Sequence, residues 1–131
     1  MTKYRILFLV FVLGLFLSCE KDSNNATSNP TIIGTWISPS YDGNLIILNK
    51  SNNLKDNDYG IEFRKDASLV ERKNSGWCGT PPISYSDFNG TWHTNDSLIL
   101  ISVDYWGGQT EYKWKLIFIN DETLMIMNQI E

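Results

Sequence analysis

Short runs in which apolar and polar residues alternate make up most of this 131-residue chain, and turn-forming residues separate them. A period of two places successive side chains on opposite faces of a β-strand, and no long segment shows the 3.6-residue period of a helix. The strand-like runs cover residues 32–38, 44–48, 59–64, 68–73, 83–86, 88–94, 97–104, 110–119 and 123–129. The pattern predicts an all-β fold, a small up-and-down antiparallel barrel of about eight or nine strands.

The last three runs are the best defined. Within residues 110–119, one face is apolar and the other is mostly charged. The apolar face carries Tyr112, Trp114, Leu116 and Phe118, and the charged face carries Glu111, Lys113 and Lys115. The runs are joined at Gly107-Gly108 and Asn120-Asp121, and similar pairs stand at Asp42-Gly43 and Asn95-Asp96. These pairs suit tight turns, so we expect a three-stranded meander at the C-terminal side of the barrel.

The first 22 residues have the pattern of an export signal. A basic start with Lys3 and Arg5 precedes an apolar stretch over residues 6–17, and Ser18-Cys19 follows it. The stretch is shorter than the roughly 20 residues that span a bilayer. We therefore expect a cleaved lipoprotein signal peptide over 1–18, a lipidated Cys19 opening a disordered tether over 19–30, and a barrel domain over 31–131. The alternative is an ordinary secretory signal in which Cys19 has no role.

The sequence around Cys19 resembles the relaxed lipobox of Bacteroidota lipoproteins. Phe16-Leu17-Ser18 precedes the cysteine, and Glu20-Lys21-Asp22 is similar to the charged signal that sends such lipoproteins to the cell surface. The resemblance implies a membrane anchor through acyl chains, palmitate among them, on Cys19. It also implies an outer-membrane location, at the cell surface or else facing the periplasm.

Charge and cysteine content narrow the possible partners. The whole chain has a formal net charge of −4, and loss of residues 1–18 removes Lys3 and Arg5, leaving nine basic against fifteen acidic residues and a net charge of −6. Such a surface does not favour nucleic acid or anionic lipid. With Cys19 lipidated, Cys78 is the remaining cysteine, so the mature chain has no intramolecular disulfide.

Two segments share the pattern apolar-x-Gly-Thr-Trp, at Gly34-Thr35-Trp36 and Gly90-Thr91-Trp92. The first is similar to the Gly-x-Trp that opens lipocalins and related calycin barrels. Together with the charged turn in residues 61–66 and the closing run at 124–126, the order over about residues 31–128 resembles the lipocalin-like domains of Bacteroidota lipoproteins, a mostly uncharacterised family. The resemblance implies the barrel fold, and with the aromatic residues below we expect this barrel to bind a small hydrophobic molecule or a saccharide.

Aromatic side chains are the candidate ligand contacts. A Trp beside Gly107-Gly108 suggests a stacking platform at a hairpin tip, although it would also fit a side chain that folds back over the barrel end. The candidates are Trp36, Trp77, Trp92, Trp106, Tyr112 and Trp114. The alternative is an accessory lipoprotein whose barrel is filled by its own side chains and contacts an outer-membrane protein partner. Bulky residues throughout the lumen would favour that alternative.

Catalysis and metal binding have little support in the sequence. His93 is the only histidine, and strand alternation places it opposite Trp92, facing outward. Residues 56–62 resemble half of a calcium loop but fit a polar turn better. The loop over 76–82 carries Cys78 and suits a packed plug, a ligand gate or, less readily, a reactive thiol. We expect no enzyme activity, no cofactor and no metal site.

Overall fold

The computed structural model describes residues 31–129 and confirms the predicted fold class: eight antiparallel strands close into a barrel, with no helix in that range. The strands are β1 (Gly34–Asp42), β2 (Leu45–Ser51), β3 (Gly60–Phe63), β4 (Ser68–Asn74), β5 (Tyr85–Asn95), β6 (Leu98–Tyr105), β7 (Gly108–Ile119) and β8 (Thr123–Gln129). A helix long and apolar enough to cross a membrane does not occur among the described residues. The predicted signal peptide, Cys19 and the tether lie outside that range.

Strands β3 to β8 form an up-and-down meander, and the β1–β2 hairpin closes it. In the closed order, β1 lies beside β3 and β2 lies beside β8, so residues 52–59 connect two strands that are not neighbours. One end of the barrel holds residues 31–33 and the β3–β4, β5–β6 and β7–β8 turns; we call it the closed end. The opposite end, the mouth, holds the β1–β2 turn, the 75–84 loop and the β6–β7 turn.

The predicted turns form where the sequence places them. Gly43 and Asp96 adopt the left-handed conformation, with φ values of 57° and 54°. Gly108 has a φ of 138°, which glycine tolerates because it has no Cβ. Asn120 uses its side-chain oxygen instead, which accepts hydrogen bonds from the backbone N–H groups of Glu122 at 2.9 Å and Thr123 at 2.6 Å.

The predicted runs over 83–86 and 88–94 are one strand, β5. Asp87, which separates them in the sequence, occupies an outward position, and its carboxylate accepts hydrogen bonds from the Arg72 guanidinium at 2.6 and 2.9 Å. A charged residue on the solvent face does not interrupt the alternation, so the ladder with β4 continues through it.

The predicted apolar face of β7 is wrong at its last position. A bulge between Leu116 and Phe118 inserts one extra residue opposite β8. One extra residue moves the following side chains to the other face. Phe118 therefore lies outside and is 46% exposed, whereas Ile119 packs against the core.

Apolar side chains fill most of the barrel interior and leave the least free space in its closed half. The largest fully buried ones are Trp36, Phe63, Leu48, Ile61, Leu69, Ile99, Leu124, Ile126 and Val103. Trp36 donates its indole N–H to the Ile32 carbonyl at 2.7 Å, which satisfies its polar atom inside the core. The Lys50 ammonium lies 4.2 Å from the centre of the Trp36 ring and donates to the Ile33 carbonyl at 2.7 Å, sealing this end.

Candidate functional site

The wall of the barrel is interrupted beside β1. The register of β1 shifts between Ile37 and Ser40, and β3 pairs only with the first four residues of β1. The segment before β3 crosses this gap and is held there because Ser38 donates its backbone N–H to the Tyr59 carbonyl at 3.3 Å. The Ser38 hydroxyl also donates to the Asp58 carboxylate at 2.9 Å. This arrangement brings Tyr59 to the interior.

A buried polar cluster joins three parts of the barrel. Glu71 of β4 is only 4% exposed, and its Oε1 accepts hydrogen bonds from the hydroxyls of Tyr59 and Tyr112, each at 2.7 Å. Its Oε2 accepts from the Lys73 ammonium at 2.6 Å. Tyr112 belongs to β7, which is separated from β4 by two strands, so its side chain reaches across the lumen. The buried carboxylate is therefore paired and hydrogen-bonded, as such a charge must be.

The tyrosines of this cluster are hydrogen-bond donors. Burial raises the pKa of Tyr59 well above its ordinary value, and the negative charge of Glu71 raises it further. The same two causes, in the same order, raise the pKa of Tyr112. Both hydroxyls therefore keep their protons through the physiological range, and both protons are committed to Glu71.

A half-open cavity of about 300 Å³ lies between this cluster and the β1–β2 side of the barrel. Four aromatic residues contribute to its wall, and no Lys or Arg does. The lining residues of the described chain are Pro39, Tyr41, Ile46, Leu48, Tyr59, Tyr112, Trp114 and Asn128. Ligand pockets range over roughly 300–1,000 Å³. This cavity is at the small end, with the volume of about ten water molecules.

Two of the six predicted ligand residues line this cavity, Tyr112 and Trp114, with ring centroids 5.5 Å apart. Trp36 does not, because it is fully buried in the closed half. Trp92 also lies at the closed end, where its ring packs edge-on against Phe63 and its indole N–H donates to the Arg64 carbonyl at 3.1 Å. These two tryptophans belong to the packing of the barrel.

The remaining two predicted residues lie on mouth loops outside the cavity. Trp77 is 82% exposed and Trp106 is 55% exposed, so neither folds back into the barrel. Trp106 packs edge-to-face against Tyr105, with ring centroids 5.5 Å apart. The 75–84 loop therefore leaves the mouth unplugged by Trp77.

The residues considered for catalysis and metal binding, His93, Asp56 and Asp58, do not form one site in the described part of the chain. His93 lies on the outer surface of β5, where it lines a half-open pocket of about 810 Å³. Within residues 31–129, no group of three or more His, Cys, Asp or Glu side chains is placed to hold a metal ion. Asp58 instead caps the backbone of Tyr59 at 2.8 Å, and Asp56 pairs with Arg72 at 3.3 Å.

Cys78 is exposed on the 75–84 loop, and its neighbours favour the thiolate. Hydrogen bonds from the backbone and then the side chain of Thr80 lower the pKa of the thiol. The Asn74 side chain holds the loop by donating to the Cys78 carbonyl at 2.8 Å. Neither His93 nor another base contacts the thiol among the described residues, so a nucleophile activated by a base is not formed there.

The residues at the centre of the cluster, Glu71, Lys73 and Tyr59, were not predicted from the sequence. The charged triplet at 71–73 has the composition of a solvated strand end. One feature of the sequence indicated their direction: Glu71 and Lys73 stand two and four positions after the buried Leu69, on the same face of the strand. Strict alternation along β4 therefore turns Glu71 and Lys73 inward.

Comparisons with models of protein families, with curated proteins and with solved structures found no match to this chain.

Proposed function

We propose that this chain is a lipid-anchored outer-membrane lipoprotein whose barrel binds a small hydrophobic molecule or a saccharide at its mouth. The observation that supports binding is the cavity of about 300 Å³, with its four aromatic side chains and a buried polar cluster behind it. A concave, mostly apolar pocket with a few fixed polar groups is the usual form of a small-molecule site. The closed half, by contrast, is already filled by side chains.

Native mass spectrometry of the mature protein, released from detergent micelles, tests the binding. The native mass is compared with the denatured mass, first as purified and then after incubation with small aromatic, aliphatic and saccharide compounds. We expect an adduct that disappears on denaturation. The matched control is Ile46→Trp, which fills the cavity from a partly exposed lining position and should abolish the adduct. A clean apo mass under every condition contradicts the proposal.

The proposed anchor rests on residues 1–22, in which Cys19 follows a short apolar stretch and Ser18. Acyl chains add about 0.8 kcal/mol of membrane affinity per buried methylene, so two or three chains hold a protein stably. The intact mass of protein extracted from membranes should correspond to a chain that begins at a diacylated or triacylated Cys19. Cys19→Ala should yield no acylated product, and an unmodified Cys19 in the wild type would refute the anchor.

A second candidate is an accessory lipoprotein that contacts an outer-membrane protein partner. The supporting observation is an apolar stripe on the outer face of β2, β8 and β7. It consists of Leu45, Ile47, Met125, Met127, Ile117 and Phe118, and the last two are 43% and 46% exposed. Charged substitutions at Ile47 and Phe118 should reduce cross-linking to a partner without reducing the small-molecule adduct. The opposite result favours the binding barrel.

A further inference from the structure

The walls of the mouth cavity indicate the charge of its ligand, an inference that rests on the proposed binding function. Tyr41, Tyr59, Tyr112 and Trp114 contribute aromatic surface, and Pro39, Ile46 and Leu48 contribute aliphatic surface. The faces of aromatic rings carry negative potential and attract cations. No basic side chain of the described residues lines the cavity to repel one.

The polar cluster strengthens this potential. Glu71 lies behind the two tyrosines and accepts both of their hydroxyl protons on Oε1, whereas Lys73 binds the other oxygen, Oε2. The ion pair is therefore oriented with its carboxylate towards the tyrosines that line the cavity. A hydroxyl that donates to a carboxylate makes its ring more electron-rich. The negative net charge of the chain acts in the same direction at longer range.

A saccharide fits these walls less well than a cation does. Sugar hydroxyls need several hydrogen-bond partners once they leave water, and unsatisfied ones are costly. The protons of Tyr59 and Tyr112 are already donated to Glu71, which leaves the Asn128 amide and the Tyr41 hydroxyl as the side-chain donors of the wall. A methylated ammonium group needs no hydrogen bonds, because its charge is spread over methyl groups that contact ring faces.

We propose that the mouth cavity is an aromatic cage for a methylated ammonium group, formed by Tyr41, Tyr59, Tyr112 and Trp114. The cavity volume of about 300 Å³ accommodates such a group with a short substituent. The cage uses the same site as the proposed small-molecule binding, but it selects a cation in place of a neutral ligand.

Titration with choline and with dimethylbutanol, the neutral analogue in which carbon replaces the nitrogen, tests the charge preference. The full mature protein in a non-ionic detergent is titrated by calorimetry, with titration into detergent alone subtracted. Choline and tetramethylammonium should bind about tenfold more tightly than the neutral analogue. Tyr41→Leu should weaken choline binding about fivefold, because it removes one ring of the cage. Tyr41 is 72% exposed, so the change leaves the buried core in place. The matched control Trp77→Leu, an exposed mouth aromatic outside the cavity, should leave it unchanged.

The outcomes separate the cage from the broader binding function. Equal or tighter binding of the neutral analogue overturns the cage and leaves an apolar pocket. Absence of binding by all three probes, with an adduct from another compound in the mass spectrum, also overturns the cage and keeps the binding function. Absence of every adduct overturns both. An equal loss of choline binding in Trp77→Leu shows attachment to surface aromatics and overturns the cage.

Discussion

Removal of one hydroxyl, in Tyr112→Phe, tests whether the buried cluster is energetically coupled. The change keeps the ring and deletes one of two donors to Oε1 of Glu71, a carboxylate that is 4% exposed. A hydrogen bond to a charged group contributes about 1.5–3 kcal/mol to stability. Small domains have only about 5–15 kcal/mol of stability. For a domain of this size, the thermal midpoint should fall by roughly 6–24 °C.

Urea unfolding followed by tryptophan fluorescence measures this change. The urea concentration at the midpoint of unfolding should fall. The slope of the unfolding free energy against urea should stay constant, because the surface exposed on unfolding hardly changes. Tyr41→Phe is the control, because Tyr41 is 72% exposed and its hydroxyl lies outside the cluster. Tyr59→Phe and the double variant Tyr59→Phe/Tyr112→Phe complete a double-mutant cycle. We expect their losses of stability to be non-additive, because both hydroxyls donate to Oε1 of Glu71. A Tyr112→Phe protein within about 0.5 kcal/mol of wild type would refute the reasoning.

Alkaline pH provides an independent readout of the same cluster. The pKa values of Tyr59 and Tyr112 are raised in the folded state, whereas tyrosines of the unfolded chain ionise near 10. The stabilisation from these protonated tyrosines is complete below pH 10 and is lost as the pH rises above it. Above pH 10, each tyrosine should lower the free energy of unfolding by about 1.4 kcal/mol per pH unit. Tyr112→Phe should remove the contribution of one tyrosine and halve this slope. Reversible ionisation of both tyrosines in the folded barrel would contradict this prediction.

Three further predictions concern other parts of the barrel. Gly90→Ala should lower the free energy of unfolding in urea by about 1–3 kcal/mol, because the added Cβ would clash with the Ser102 carbonyl oxygen. Gly76→Ala is the control and should change it little, because the space around Gly76 is open. Cys78 should react with a disulfide reagent in the folded protein, and Thr80→Val should slow the reaction near pH 7 because a hydrogen bond that lowers the thiol pKa is lost; an unchanged rate would contradict this role. Arg72→Met should speed amide hydrogen exchange before β3, since the Arg72 guanidinium donates to two carbonyls of that segment at 3.2 and 3.4 Å; unchanged protection there would contradict the role of Arg72 as a clamp.

The strands and turns were predictable because they depend on local chemistry. Alternation of apolar and polar residues defines a strand whatever its partners are, and positive φ at Gly43 or Asp96 depends on the residue itself. The β7 bulge was not predictable in this way. It depends on how β7 aligns with β8, and one shifted pairing moves Phe118 out and Ile119 in.

The site depended on long-range geometry and was only partly predictable. Tyr112 and Trp114 were found because they lie on a strongly alternating strand. Trp36 and Trp92 also point inward, but they lie at the closed end. The position of a side chain along the barrel axis depends on the register between strands, which one sequence does not reveal. Glu71 and Tyr112 are 41 positions apart, so their contact has no local signature.

A barrel built only for stability has no need of the buried cluster, and this argues for a role in binding. Replacing a buried ion pair by well-packed apolar residues is often neutral or stabilising, whereas removing one member alone is costly. The variant Tyr59→Phe/Glu71→Met/Lys73→Met/Tyr112→Phe removes every polar group of the cluster together. We expect its stability in urea to lie within about 1 kcal/mol of wild type, unlike that of Tyr112→Phe alone. Its preference for choline over the neutral analogue should nevertheless become smaller, because the rings lose the carboxylate behind them. A large loss of stability in this variant would instead assign the cluster to the architecture of the barrel.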